Sequence, residues 1–270
     1  MTIHQTSIVA DGAQLGEGVS IGPFCQIGPN AVLEDGVELV SHVVVAGRTT
    51  IGARSRIFSF AALGLDPQDL KYRGEETRLT LGQDCIVREN VTMHPGTEGG
   101  GGLTALGNKC VFLAGSHVAH DCRIGNGVIA SNNVMLAGHV TVEDNVIFGG
   151  GSAVHQFARI GTGAFVGGLA GVEQDLVPFA IAIGHRAEVA GPNVVGLRRA
   201  GFNKSQIHEL RNAYRRIFEG DLTMKEAVEE LEAEFNALSA ADRSPLIESL
   251  LAFVSQDTAR QYCSMRKRAL

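Results

Sequence analysis

Four histidines, His117, His120, His139 and His155, fall in the central part of the chain, and one spacing stands out there: His120, Gly138 and Gln156 recur at a constant interval. An imidazole beside a backbone N–H that no side chain covers, with a carboxamide one step further on, has the parts for acyl transfer. Histidine titrates near neutrality and can take a proton from a hydroxyl. The N–H of Gly138 can stabilise the oxyanion of a tetrahedral intermediate. Direct attack of a hydroxyl on a thioester needs only such a base and such a donor, so no Ser–His–Asp relay is required. Zinc is the competing reading: His117 and His120 can supply two ligands, but no third ligand and no well-placed carboxylate is evident.

These residues can act together only if the chain returns to the same place at that interval, and its periodicity provides that. From Leu15 every sixth residue is apolar: Leu15, Ile21, Ile27, Leu33, Leu39, Val45, Ile51, Ile57 and Leu63. After an interruption the phase returns at Leu81, Val87 and Met93. A Gly-rich insertion then shifts it by one, and it runs from Leu106 and Phe112 through Val118, Leu136 and Val154 to Val172. Four residues after each of these lies a small residue, as at Val19, Cys25, Ala31, Cys110, Ser116 and Cys122. A six-residue unit with one large and one small inward side chain is a short strand and a turn. Three units close a triangular coil, which is the interval from His120 to Gly138 and from Gly138 to Gln156. Stacked coils pair as parallel sheets about 4.8 Å apart. The expected fold is therefore an all-β parallel β-helix. Glycines following the apolar positions, such as Gly16, Gly22, Gly52, Gly107 and Gly161, are expected at corners that need positive φ. Two segments leave the register: a polar loop at 64–80 and the four-glycine stretch at 98–103, which is expected to be mobile. In this scheme Cys25, Cys85, Cys110 and Cys122 occupy the small inward slot as core thiols.

The 34 glycines fit a turn-rich fold, and the net charge of −6 argues against nucleic acid as a partner. The segment Met1–Gly12 does not read as a signal peptide, no stretch is apolar for long enough to cross a membrane, and the five cysteines form no C-x-x-C pair. These features point to a cytoplasmic protein. Beyond Gly196 the period becomes helical, with stripes at Ile207, Leu210, Tyr214 and Ile217, at Ala227, Val228, Leu231 and Phe235, and at Ile247, Leu250, Leu251 and Val254. The expected division is a β-helix over 1–196 and an α-helical domain over 197–270. The second part carries 12 basic against 11 acidic residues. Arg198, Arg199, Lys204, Arg211, Arg215 and Arg216 cluster near the junction as a candidate dock for an acidic partner.

The segments Ser41–Val45 (SHVVV), Gln68–Tyr72 (QDLKY), His117–Cys122 (HVAHDC), Leu136–Val140 (LAGHV), Val154–Phe157 (VHQF) and Arg211–Tyr214 (RNAY) closely resemble the UDP-N-acetylglucosamine O-acyltransferase family, over essentially the whole chain. The resemblance implies a left-handed coil and a homotrimer with active sites between neighbouring subunits. It implies transfer of a 3-hydroxyacyl group from acyl carrier protein to the glucosamine 3-hydroxyl of UDP-N-acetylglucosamine, the first step of lipid A synthesis, with no cofactor and no metal. Carried over by motif, His120 is the general base assisted by Asp121, and Gly138 is the oxyanion donor. Asp69, Lys71, His117, His139, His155 and Gln156 contact the acceptor, and Asn193 and Arg199 the nucleotide. Gly168 is the position that sets acyl length, and glycine there leaves room for a long chain of about twelve to fourteen carbons. Val195 and Ala200 depart from the family pattern, which has an acidic and a second basic residue there. Some relatives use a 3-amino sugar nucleotide, and Asp69 favours the hydroxyl. Other enzymes on this scaffold are an N-acyltransferase, which usually carries an extra N-terminal domain, coenzyme A-dependent acetyltransferases and zinc carbonic anhydrases.

Overall fold

The computed structural model describes residues 1–256, 258 and 260–266. The chain winds as a left-handed parallel β-helix of three sheets with eleven, nine and eight strands. Most strands are two residues long, and each pairs with the strand one coil away, as Val118 does with Leu136 and Leu136 with Val154. From Ile21 onward, the large apolar residue of each unit and the small one four positions later both point inward and are buried. Cys25, Cys85, Cys110 and Cys122 lie in that core.

The two interruptions obey the same arithmetic. In the plain repeat, paired residues stand three units apart, as Leu33 and Ile51 do. Across the first loop Ile51 pairs with Leu81, and across the second Leu81 pairs with Leu106. The first loop therefore adds two whole units, so the apolar phase survives. The second adds one unit and one further residue, so the phase moves by one.

The expected role of the corner glycines is corrected by the backbone. Gly22, Gly52, Gly107 and Gly161 do not have positive φ. They are needed because a Cβ would run into the backbone of the next coil, as with Gly22 against the Val40 carbonyl. Positive φ falls two residues later, at the residue before each small inward slot, where Phe24, His42, Asp121, His139, Phe157 and Leu169 all have φ between 52 and 66°. The stretch 98–103, expected to be mobile, contains a turn of 3-10 helix at Glu98–Gly100.

After the parallel coils, strand Ala180–Ile183 turns back on Glu188–Pro192 as an antiparallel pair. Helix α1 (Val194–Arg199) follows directly and straddles the expected boundary at 196/197. Helices α2 (Lys204–Glu219), α3 (Met224–Ala237) and α4 (Pro245–Val254) form the helical part. Capping boxes at Asn203/Gln206 and Thr223/Glu226 start α2 and α3, satisfying N–H groups that a helix end leaves unpaired. The α2 stripe packs inward, and the buried Tyr214 hydroxyl donates to the Pro178 carbonyl, fixing α2 to the last coil. The chain then returns: Tyr262 bridges Asp175 and Met265 bridges Val189. Among the described residues no helix is long and apolar enough to cross a membrane.

Candidate active site

The corner between the nine-stranded and eight-stranded sheets is formed by residues 119–122, 137–140 and 155–158 in three successive coils. His120, Gly138 and Gln156 therefore stack on one edge, as their spacing requires. Asp121, His139 and Phe157 form a second column beside them, each at the left-handed position of its turn.

Asp121 is buried, with a side chain 1% exposed, and its Oδ2 lies 2.8 Å from His120 Nδ1. Because the two residues occupy a turn, both side chains reach the same side. A carboxylate can only accept, so Nδ1 carries the proton and the Nε2 lone pair is left for a substrate. The Asp121 carboxylate is further held by Thr97, whose N–H donates to Oδ1 at 2.9 Å and whose hydroxyl donates to Oδ2 at 2.7 Å. The Asp121 N–H donates to Thr104 Oγ1 at 2.7 Å. Below the imidazole, a Cβ on residue 138 would stand 2.6 Å from His120 Cε1 and 2.7 Å from Nε2. Gly138 is thus the seat on which His120 lies, and among the described residues no backbone acceptor takes its N–H.

His139 meets His120 edge-on, with ring centroids 5.0 Å apart, and stacks on Phe157 at 4.4 Å. Burial lowers the His139 pKa, with the nearby Asp121 carboxylate opposing and His120 adding to the shift. Asp69 and Lys71, on the first loop, also act on the His139 charge, raising and lowering its pKa respectively, so the loop tip comes near this corner. His117 lies one strand earlier, with Nδ1 2.7 Å from Thr92 Oγ1 and its ring 5.3 Å from that of the buried His94. Burial, followed by the neighbouring His94 and His120, pushes its pKa down to about 4, so it is a neutral hydrogen-bonding group at neutral pH. His155 and Gln156 are exposed at the next coil. The Arg260 guanidinium lies 2.9 Å from His155 Nδ1 and can only donate, so this nitrogen is an acceptor and its 3.1 Å contact with the Gln156 carbonyl is not a hydrogen bond. Phe157 follows His139 at the interval at which His139 follows Asp121, so spacing could have found it, whereas the contacts of Thr97, Thr104 and Arg260 had no such signal.

Among the described residues, His120, Asp121 and His139 are the group that could hold a metal ion, offering three potential ligand atoms within 4.8 Å of one another. His117, the expected partner of His120 in a zinc site, is not in that group.

The other expected residues lie elsewhere on the same rod. Asn193 is at the corner between the eight- and eleven-stranded sheets, where its Nδ2 donates to the Gly163 carbonyl at 3.1 Å and its Oδ1 caps α1 at Gly196 N. Arg199 is exposed in the last turn of α1. Gly168 is at the third corner, above Gly150. One chain therefore displays the residues expected as the base, the nucleotide end and the length-setting position on three different edges. Of the basic cluster, Arg216 is paired with Glu234 at 2.6 Å. Arg211 and Arg215, with Arg266, line an open cleft of about 490 Å³ beside Pro192.

Comparison with known proteins adds a separate line. Residues 175–263 match the model described as UDP-N-acetylglucosamine O-acyltransferase, domain 2, and residues 12–47 match the bacterial transferase hexapeptide model of six repeats. An acyl-[acyl-carrier-protein]–UDP-N-acetylglucosamine O-acyltransferase of Rhizobium johnstonii is 51% identical over 262 residues, covering 97% of this chain and 94% of the relative. One of Bartonella henselae is 46% identical over 262 residues, covering 97% and 93%. Among solved structures, the UDP-N-acetylglucosamine O-acyltransferase of Moraxella catarrhalis superposes with a TM-score of 0.90 at 37% identity, covering 97% of this chain and 99% of that one. The acyltransferase of Arabidopsis superposes with a TM-score of 0.82 at 33% identity, covering 97% and 99%.

Proposed function

The chain belongs to the UDP-N-acetylglucosamine O-acyltransferase family, and from that premise we propose how its residues carry out the transfer. The enzyme moves an acyl group from acyl carrier protein to UDP-N-acetylglucosamine, the first step of lipid A biosynthesis. The acceptor group is the glucosamine 3-hydroxyl and the donor a 3-hydroxyacyl thioester. His120 Nε2 takes the hydroxyl proton as the oxygen attacks the thioester carbonyl and the C–O bond forms. The oxyanion so formed is stabilised by the Gly138 N–H. Collapse breaks the C–S bond, and the imidazolium returns its proton to the departing thiolate, so the enzyme ends as it began. Asp121 holds His120 in the required tautomer and stabilises its charged form. The observation that carries this reading is the 2.8 Å Asp121–His120 contact over the bare Gly138.

Asp69, Lys71, His117, His139, His155 and Gln156 bind the acceptor sugar, and Asn193 and Arg199 the nucleotide. Since the relevant residues sit on three edges of one rod, a complete site requires neighbouring copies, and the working form is a homotrimer. Three large apolar side chains next to site residues support this: Leu70 is 95% exposed, Leu169 77% and Phe157 51%. Such surface belongs under a partner. The carboxylate of Asp69 can accept from a hydroxyl and from an ammonium alike, so the 3-hydroxyl assignment rests on family membership. The enzyme works in the cytoplasm.

The test is His120→Ala assayed by mass spectrometry of the acylated sugar nucleotide. A general base is worth about 10²–10⁴ in rate, and the trimer should remain folded because the side chain is outside the core. Near-normal turnover across pH would overturn the assignment.

A further inference from the structure

The four-glycine segment lies directly against Asp121. The Thr97 carbonyl accepts from the N–H groups of Gly100 at 3.0 Å and Gly102 at 2.8 Å, closing a turn around Thr97. The turn is tied to the neighbouring strand where Arg78 N–H donates to the Gly102 carbonyl at 2.9 Å. From this frame the buried Thr97 aims both of its donors at the Asp121 carboxylate. Gly101 and Gly102 have φ of 92 and 72°, which glycine tolerates. Gly100 does not have positive φ, so its backbone does not require glycine. A Cβ there would overlap the Asp121 carboxylate, and glycine is needed at 100 because of that contact.

The geometry matters because Asp121 Oδ2 has two imidazoles within reach, His120 Nδ1 at 2.8 Å and His139 Nε2 at 3.9 Å. A carboxylate free to rotate could turn toward His139. Three hydrogen bonds, two from Thr97 and one from His120, remove that freedom.

We propose that the Thr97–Gly102 turn is a positioning clamp, with Thr97 and Gly100 holding Asp121 on His120 so that Nε2 faces the substrate as an acceptor. The clamp rests on His120 being the general base. It also gives the second insertion a purpose: the turn it forms holds the Thr97 hydroxyl against the Asp121 carboxylate.

Thr97→Val keeps the shape and removes the O–H donor, and Thr97→Ser keeps the donor. Steady-state kinetics on the full-length enzyme, with both substrates varied, should show kcat of Thr97→Val reduced about tenfold with each KM unchanged within about twofold. The acid limb of its kcat profile should move to higher pH. With one donor lost, the carboxylate presents more charge to the imidazole, which then keeps its proton to a higher pH. Thr97→Ser should restore both quantities. Gly100→Ala should lower kcat in the same way, and it serves alone if Thr97→Val does not fold. If Thr97→Val has wild-type kcat and acid limb while His120→Ala is inactive, the clamp is refuted and the base stands. A loss confined to thermal stability, or to KM, would also refute it. An active His120→Ala would remove the base itself, and the clamp with it.

Discussion

Replacing Gly168 tests whether acyl length is set at the third corner of the rod. Residue 168 is exposed, and the left-handed turn beside it is made by Leu169, with φ of 58°. A Cβ at 168 would meet only the Gly150 backbone, at 3.4 Å to its oxygen and 4.0 Å to its nitrogen, which is ordinary contact. Methionine is therefore tolerated by the backbone and projects away from the core, into the groove that a neighbouring subunit would complete. If the side chain denies the groove to three or four methylenes at about 0.8 kcal/mol each, the long chain loses about 3 kcal/mol of binding. That corresponds to roughly a two-hundredfold change in preference. The assay is direct competition between 3-hydroxytetradecanoyl and 3-hydroxydecanoyl carrier proteins, with products separated by mass, on wild type and Gly168→Met. Wild type should favour the long donor and the variant the short one, with little change in melting temperature. If both enzymes rank the donors alike, length is set elsewhere and the assignment of Gly168 fails.

Two further outcomes are expected. The folded-state pKa of His117, about 4, lies below the ordinary value of 6.5, so the unfolded chain binds this proton more readily. The stability it contributes is present above about pH 6.5 and lost as pH falls toward 4, and His117→Gln should flatten melting temperature against pH in that window; an unchanged slope would show that His117 is not responsible. Reversal of Arg211 and Arg215 to Glu should raise KM for the acidic carrier protein about tenfold at low salt and much less at high salt, where such attraction is screened. An unchanged low-salt KM would remove this cleft as the dock.

The solenoid was legible because a six-residue apolar period has few other physical solutions, and its three-unit spacing brought His120, Gly138 and Gln156 together from the sequence alone. The corner backbone was not legible. Glycines after the apolar residues look like turn-formers, yet their role is to let the next coil approach, and the left-handed residue comes two positions later. Alternation along a strand would have put Asp121 opposite His120; only the turn at 119–122 puts them on one side. Thr97, four residues after Met93, reads as one more small inward residue, and nothing in the repeat shows that the chain leaves register there and turns its hydroxyl toward Asp121. Composition likewise counts Arg216 as a free cation, whereas Glu234 on the next helix pairs with it.

The loop arithmetic bears on how such an enzyme can change over evolutionary time. Each coil is held chiefly by the coils above and below, so the rod registers an inserted segment only at the corner where it leaves and re-enters. Closing a longer loop is cheap, about 0.6 kcal/mol for each doubling of its length. Lineages can therefore lengthen, trim or exchange the segments at 64–80 and 98–103 with the hydrophobic interior unchanged. Whole-unit insertions leave the repeat in phase for any reader of the sequence, whereas the second insertion, with its one extra residue, does not. The break in phase falls just after Thr97, so the least regular stretch of the rod is the one that packs against Asp121.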